Sequence, residues 1–315
     1  MNHPVVAALL PVILLIAIGW LAGRRRWISP GSVKDLSGLV FMVLAPALLF
    51  RTMAGVRLVS LDWRPLVTYF VVALAVYASV LAVCRFNRRG AVLALAATFS
   101  NTFMIGVPLV GLAYGERGLV VLFTLISLHA LVLLTVATLV LEFAVVREQA
   151  AMGQTSHRPV AATVALAVRN AVIHPVPLPI LAGILFGQTG WTIPLVLDKP
   201  LQLLGNAFGP LALVMVGVTL AFNPVGPQWK AALAVAGAKN LLHPLAMAAA
   251  GWALGLGGVE LAVMIVAASL PIGANVFLFS QRYEVAEELV TASVAVSTGL
   301  GLVSVSLVML CLGTG

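Results

Sequence analysis

Apolar runs of about twenty residues recur along the chain, each closed by a short cluster of charged or turn residues. A helix of that length crosses a hydrocarbon core of about 30 Å. The pattern predicts ten spans: 5–23, 35–54, 66–84, 91–113, 119–143, 166–187, 196–221, 230–255, 259–281 and 287–312. The predicted fold is therefore an all-α polytopic membrane protein with ten transmembrane helices. The longest polar stretch, Arg147 to Pro159, separates two groups of five spans. The expected organisation is a first five-helix repeat over 1–146, a cytoplasmic linker over 147–164 and a second repeat over 165–315.

The two halves match at residue types that a leucine-rich background does not supply by itself. A shift of 164 positions places Pro11 on Pro175, Gly19 on Gly183, Gly23 on Gly187, Trp27 on Trp191, Pro30 on Pro194 and Pro46 on Pro210. With an odd number of spans per half, the second half enters the membrane in the opposite orientation. Inverted repeats of this kind are a transporter architecture with the substrate site near the midplane.

Composition agrees: 62% of the residues are hydrophobic and 9% charged, far from the roughly 25% charged of a soluble domain. The first apolar run carries Arg24, Arg25 and Arg26 after it and no basic residue before it, the reverse of a cleaved secretory signal. It is read as a retained first helix. The formal charge of +8 is spread over helix ends, so it sets orientation and excludes nucleic acid as a partner. With both termini outside, twelve basic residues, among them Arg85, Arg88, Arg89, Lys230 and Arg282, fall inside. Only Arg51, Arg57, Arg64, Arg117 and Lys199 fall outside. The expected location is a bacterial cytoplasmic (inner) membrane, with lipid around the spans. Cys84 and Cys311 match no metal or redox spacing.

Two spans carry residues that do not suit a continuous helix. The fourth contains "SNTFMIGVPLVG", with Asn101, Thr102, Gly106 and Pro108 at membrane depth. The ninth contains "ASLPIGANVFLF", with Pro271, Gly273 and Asn275. Pro108 and Pro271 are 163 residues apart, one from the repeat offset. Proline removes an N–H and clashes with the carbonyl four residues back. Freed backbone groups survive in a bilayer only when buried in protein or lining a wet cavity. Breaks are therefore expected around Gly106 and Pro108 and around Pro271 and Gly273, with helices four and nine crossing there. Half-helix N-termini suit an anion, and Asn101 and Asn275 can donate to it without carrying charge.

"SNTFMIGVPLVGLAYGERGL", "ASLPIGANVFLFSQRY" and the stretch from Lys239-Asn240 to Pro244 resemble the auxin efflux carrier family over essentially the whole chain. That family includes plant PIN-type exporters and many bacterial permeases and is related to the bile acid/sodium symporters. The resemblance implies ten helices in two inverted five-helix repeats, a crossover of spans four and nine, and a small organic anion as substrate. It also places Asn101 and Asn275 where plant members contact substrate. The long cytoplasmic loop of many plant members is missing here.

Ionisable residues at membrane depth are functional suspects. The eighth span holds Lys239, Asn240 and His243, and the fifth holds His129. Lys239 and His243 share a helix face and join Asn101, Thr102 and Asn275 as candidate substrate contacts. Two other readings stay open: Lys239 snorkelling to the surface, and His243 bonding a carbonyl freed by Pro244. The aspartates and glutamates fall at or near span ends, which disfavours a cationic substrate. No hydrolase or metalloprotease motif is present. The sequence therefore points away from an enzyme and to a secondary transporter, with a passive anion channel or a membrane sensor as alternatives. It implies no cofactor, leaves coupling to sodium or protons open, and is compatible with a homodimer.

Overall fold

The computed structural model of the protein describes residues 4–56, 62–151, 165, 169, 176–223 and 225–312. Residues 152–164 of the expected linker, and most of the expected sixth span before Val176, lie outside them. Helices run over Pro4–Arg24 (α1), Pro30–Met53 (α2), Arg64–Val83 (α3), Arg88–Thr98 (α4), 102–114 (α5), 116–151 (α6), Pro177–Gln188 (α7), Leu195–Phe222 (α8), 229–253 (α9), Gly258–Ser269 (α10), Asn275–Arg282 (α11) and Glu287–Leu312 (α12). Among the described residues, six stretches are long and apolar enough to cross a membrane. The chain is an all-helical, multi-pass membrane protein.

Local chemistry fixes several boundaries. Ser29 caps α2 by accepting from the Ser32 N–H, with Pro30 at the first helical turn, where its missing N–H costs nothing. Asn87 caps α4 through the Gly90 N–H. Gly115, at φ +60°, separates α5 from α6. α6 continues to Ala151, so residues 147–151 at the start of the expected linker are helical. Its end is tied to α4 by the Arg88–Glu148 ion pair at 2.6 Å.

Among the described residues, three wide turns with π geometry interrupt the helices, over Val40–Leu44, Thr102–Gly106 and Ala238–Leu242. Each ends two residues before a proline: Pro46, Pro108 and Pro244. The reason is steric. A proline in a regular α-helix clashes with the carbonyl four residues back, and a turn bonded five residues back moves that carbonyl aside. The i−5 bonds are explicit: Ala45 N–H to Val40, Gly106 N–H to Asn101 and His243 N–H to Ala238.

Glycines set the closest helix approaches. A Cβ at Gly19 would lie 2.0 Å from the Val214 carbonyl oxygen, and one at Gly23 3.2 Å from that of Val218. On the other helix pair, a Cβ at Gly183 would lie 2.6 Å from the Phe50 carbonyl oxygen, and one at Gly187 2.8 Å from that of Ala54. Only glycine permits the α1–α8 and α2–α7 backbones to come this close. The remaining helices pack α3 against α4 and α9, α6 against α4 and α10, and α9 against α10 and α12.

Candidate functional site

Two helical runs stop in mid-course and meet. The first ends at Thr98 and resumes at Thr102; the second ends at Ser269 and resumes at Asn275. Between them Ser100 and Ile272 form an isolated antiparallel bridge. The Asn101 N–H donates to the Pro271 carbonyl at 2.8 Å, and the Gly273 N–H donates to the Phe99 carbonyl at 2.9 Å. Gly273 is required here, since a Cβ would lie 2.7 Å from the Phe99 ring.

An unpaired backbone group in a bilayer costs several kcal/mol, and the break leaves few unpaired. Lys239 Nζ donates to the carbonyls of Ala268 (2.5 Å) and Leu270 (2.7 Å), at the C-terminal end of α10. Asn240 Nδ2 donates to Ser269 O at 3.0 Å, and its Oδ1 accepts from Ser297 Oγ at 2.6 Å. Ser297 Oγ in turn accepts the Ile272 N–H at 3.0 Å. On the first break Asn101 Oδ1 caps the resuming helix through the Met104 N–H.

Asn101, Met104, Ile272, Ala274 and Phe277 line one side of a cavity of about 370 Å³. Ser37 and Phe41 of α2, Thr219 and Asn223 of α8, and Thr291 and Thr298 of α12 line the rest. The wall is apolar with neutral hydroxyls and amides, and among the described residues it holds no charged side chain. Such a pocket orients a ligand by a few polar contacts. The Asn101 NH2 remains available to donate after capping.

The sequence-predicted site residues separate into groups. Asn101 lines the cavity. Asn275, half-buried beside Ala274 at the start of α11, is not part of its wall, and neither is Thr102, which is buried. Lys239 is fully buried on backbone carbonyls, so it does not snorkel to the surface. His243 is fully buried and neither ring nitrogen has a hydrogen-bond partner, so it does not bond a carbonyl freed by Pro244. Pro271 and Gly273 lie in the second break. The first break does not lie at Gly106 and Pro108 but at Phe99–Asn101: Gly106 belongs to the wide turn over Thr102–Gly106, and Pro108 to the helix that continues from it, its clash relieved by that turn.

Thr219, Asn223, Thr291 and Thr298 were missed by sequence reasoning. Their available signal was spacing: Thr219 and Asn223 are four apart and Thr291 and Thr298 seven apart, each pair on one face of an apolar helix.

A multi-pass helical protein with two interrupted helices joined at their breaks beside a neutral polar cavity belongs to the transporter class of folds. Known proteins agree: the family model described as "Membrane transport protein" matches residues 4–309. The chain belongs to that family, the membrane transport proteins of auxin efflux carrier type. A Rhizobium meliloti (strain 1021) protein named "Putative malonate transporter" is 29% identical over 310 residues, covering 94% of this chain and 92% of that one. The "Uncharacterized transporter YfdV" of Escherichia coli (strain K12) is 27% identical over 92% of this chain and 91% of its own. "Auxin efflux carrier component 8" of Arabidopsis thaliana is 21% identical over 93% of each.

Proposed function

We propose that this protein is a secondary transporter that carries a small organic anion, of the size and type of malonate, across a bacterial cytoplasmic membrane by alternating access at the helix crossover. The observation that carries the reading is the bridge between Ser100 and Ile272 at the wall of a neutral, polar-dotted cavity. A bound carboxylate there meets the Asn101 amide, with the positive ends of α5 and α11 close by; the Thr219, Thr291 and Thr298 hydroxyls donate to it only by giving up their bonds to carbonyls four residues back. Membership of a transport family, with relatives named as transporters of malonate and auxin, supports the class.

The architecture we infer is ten helices in two inverted five-helix repeats, joined by the cytoplasmic linker, with both termini outside. The glycine contacts support it. Adding 164 to Gly19 and Phe50 gives Gly183 and Val214, so the Gly19–Val214 and Gly183–Phe50 contacts exchange under the repeat. Gly23–Val218 and Gly187–Ala54 exchange in the same way. A pseudo-two-fold relation between the halves produces this exchange. Cysteine labelling of the linker in intact cells tests the orientation: protection is expected, and labelling from outside contradicts it. A screen of mono- and dicarboxylates in proteoliposomes tests the function. Saturable uptake of at least one is expected, and the absence of any carboxylate flux contradicts the reading.

A further inference from the structure

The face of the crossover away from the anion cavity carries a buried cluster of three basic side chains. His129 of α6 is 2% exposed, and Lys239 and His243 of α9 are fully buried. Tyr69 of α3 stands among them, with its hydroxyl 3.3 Å from His129 Nε2 and 3.4 Å from Ser100 Oγ. The His243 ring lies 5.5 Å from the Tyr69 ring, and the His129 ring 4.6 Å from Phe99. Lys239 is held by two carbonyls, whereas both His243 nitrogens are without a hydrogen-bond partner among the described residues. The facing titratable groups are therefore Tyr69 from α3, His129 from α6, and Lys239 and His243 from α9. The residues flanking the break supply Ser100, and α10 and α12 supply carbonyls and hydroxyls. No carboxylate hydrogen-bonds or pairs with any of the three bases among the described residues.

A second cavity, about 440 Å³, approaches this cluster from the other end of the molecule. Gly55 and Val56, just past the end of α2, line it, whereas Ser37, near the start of α2, lines the anion cavity. Its wall includes Leu66, Thr124 and Met264, which precede Tyr69, His129 and Ala268 by three, five and four residues. On a helix that is about one turn, roughly 5 Å. Asp62, Arg117 and Glu260 also line it. The Arg64 backbone N–H holds the Asp62 carboxyl below the usual carboxylate range, so it stays ionised there.

We propose that the His129–His243 cluster binds one proton together with the anion, which makes the transporter a proton–anion symporter. The proposal rests on the transport reading above and supplies its coupling ion. Lys239 already fills the carbonyls that a sodium ion would use at the second break. A proton entering from the second cavity leaves a water oxygen and forms an N–H on a ring nitrogen of His243 or His129. A buried imidazolium without a carboxylate is costly, and an anion across the Ser100–Ile272 bridge offsets that cost. Each ligand then raises the affinity for the other by the same factor.

Malonate binding to the purified protein, measured by calorimetry from about pH 5 to about pH 8, tests this. Because uptake of one proton is linked to binding, affinity must fall by up to tenfold per pH unit as pH rises through the cluster's titration. His243→Gln and His129→Gln must bind with the weaker affinity of the parent at high pH and show less slope. A slope that the variants share in full belongs to malonate itself and overturns the proposal, as does a flat parent profile. If malonate binds with a flat profile, the transport reading stands while the proton site falls. If malonate does not bind at all, the substrate reading falls. The proton site is then judged by the same pH series with acetate or succinate in place of malonate: affinity must fall as pH rises in the parent, and less steeply in the His129→Gln/His243→Gln double variant. Equal slopes overturn it.

Discussion

The Asn101 N–H donates to the Pro271 carbonyl at 2.8 Å, and through that bond two interrupted helices 170 residues apart in sequence are fastened at their breaks. Asn101 has three tasks at once: it pairs with Pro271, caps the helix that follows through Met104, and lines the neutral cavity. Asn275 has none of these contacts among the described bonds. The two asparagines, similar by sequence, are therefore expected to differ in effect.

Asn101→Ala removes a hydrogen bond to a charged ligand, worth about 1.5–3 kcal/mol, or roughly a ten- to hundredfold loss of affinity. It also removes a cap worth about 0.5–2 kcal/mol of stability. Asn101→Ser keeps a capping oxygen, so it should restore stability while leaving affinity low. Asn275→Ala should change affinity by less than Asn101→Ala. Equilibrium binding and thermal melting of monodisperse variants separate the two effects, and equal binding losses at both positions contradict the assignment.

The prolines should also differ. Pro271 lies in the second break, packed so that a Cβ at Gly301 would lie 2.6 Å from its Cγ. Pro108 follows a wide turn and lies after the first break. Pro271→Ala should slow malonate flux more than Pro108→Ala, because the pairing of 99–101 with 270–273 does not depend on Pro108. A larger effect at Pro108 on initial uptake rates contradicts this.

Gly19→Ala and Gly183→Ala place a Cβ 2.0 and 2.6 Å from backbone carbonyl oxygens. Overpacking of this kind costs about 1–3 kcal/mol. Gly38 and Gly237 have nothing within 4 Å of an added Cβ, so alanine there should be neutral or stabilise by up to about 1 kcal/mol. Melting temperatures of the four variants in detergent provide the comparison. Equal shifts at all four contradict the close helix approach.

Lys239→Met removes the partner of the Ala268 and Leu270 carbonyls but also relieves the burial of an ammonium group. These effects oppose each other in total stability. The local consequence has one sign: the second break loses its clamp. Hydrogen exchange of the Gly273 amide, which bonds Phe99, should accelerate while the melting temperature changes little. Unchanged exchange contradicts the clamping role.

The all-helical, membrane-spanning character was legible because apolar length alone decides it, and the region of the breaks because asparagine, glycine and proline are rare at membrane depth. The position of the first break was not legible. Phe99–Asn101 contains neither proline nor glycine, and it stays open because a segment distant in sequence pairs with it. Pro108 was the visible breaker, yet a five-residue wide turn absorbs it. Much of the cavity wall was hidden for another reason. The hydroxyls of Thr219, Thr291 and Thr298 bond carbonyls four residues back, as solitary threonines in apolar helices do, and only packing shows that they share a cavity. The role of Lys239 needed the carbonyls of Ala268 and Leu270, which the sequence places about thirty residues away.

The most direct test of the central claim is counterflow of labelled malonate into malonate-loaded proteoliposomes, with Ala295→Trp as the variant that fills the cavity. The account predicts saturable counterflow in the parent and its loss in a folded Ala295→Trp protein. Flux that does not saturate identifies a channel, and binding without flux identifies a sensor. Either result, or saturable counterflow undiminished by the tryptophan, contradicts a transport site at the crossover.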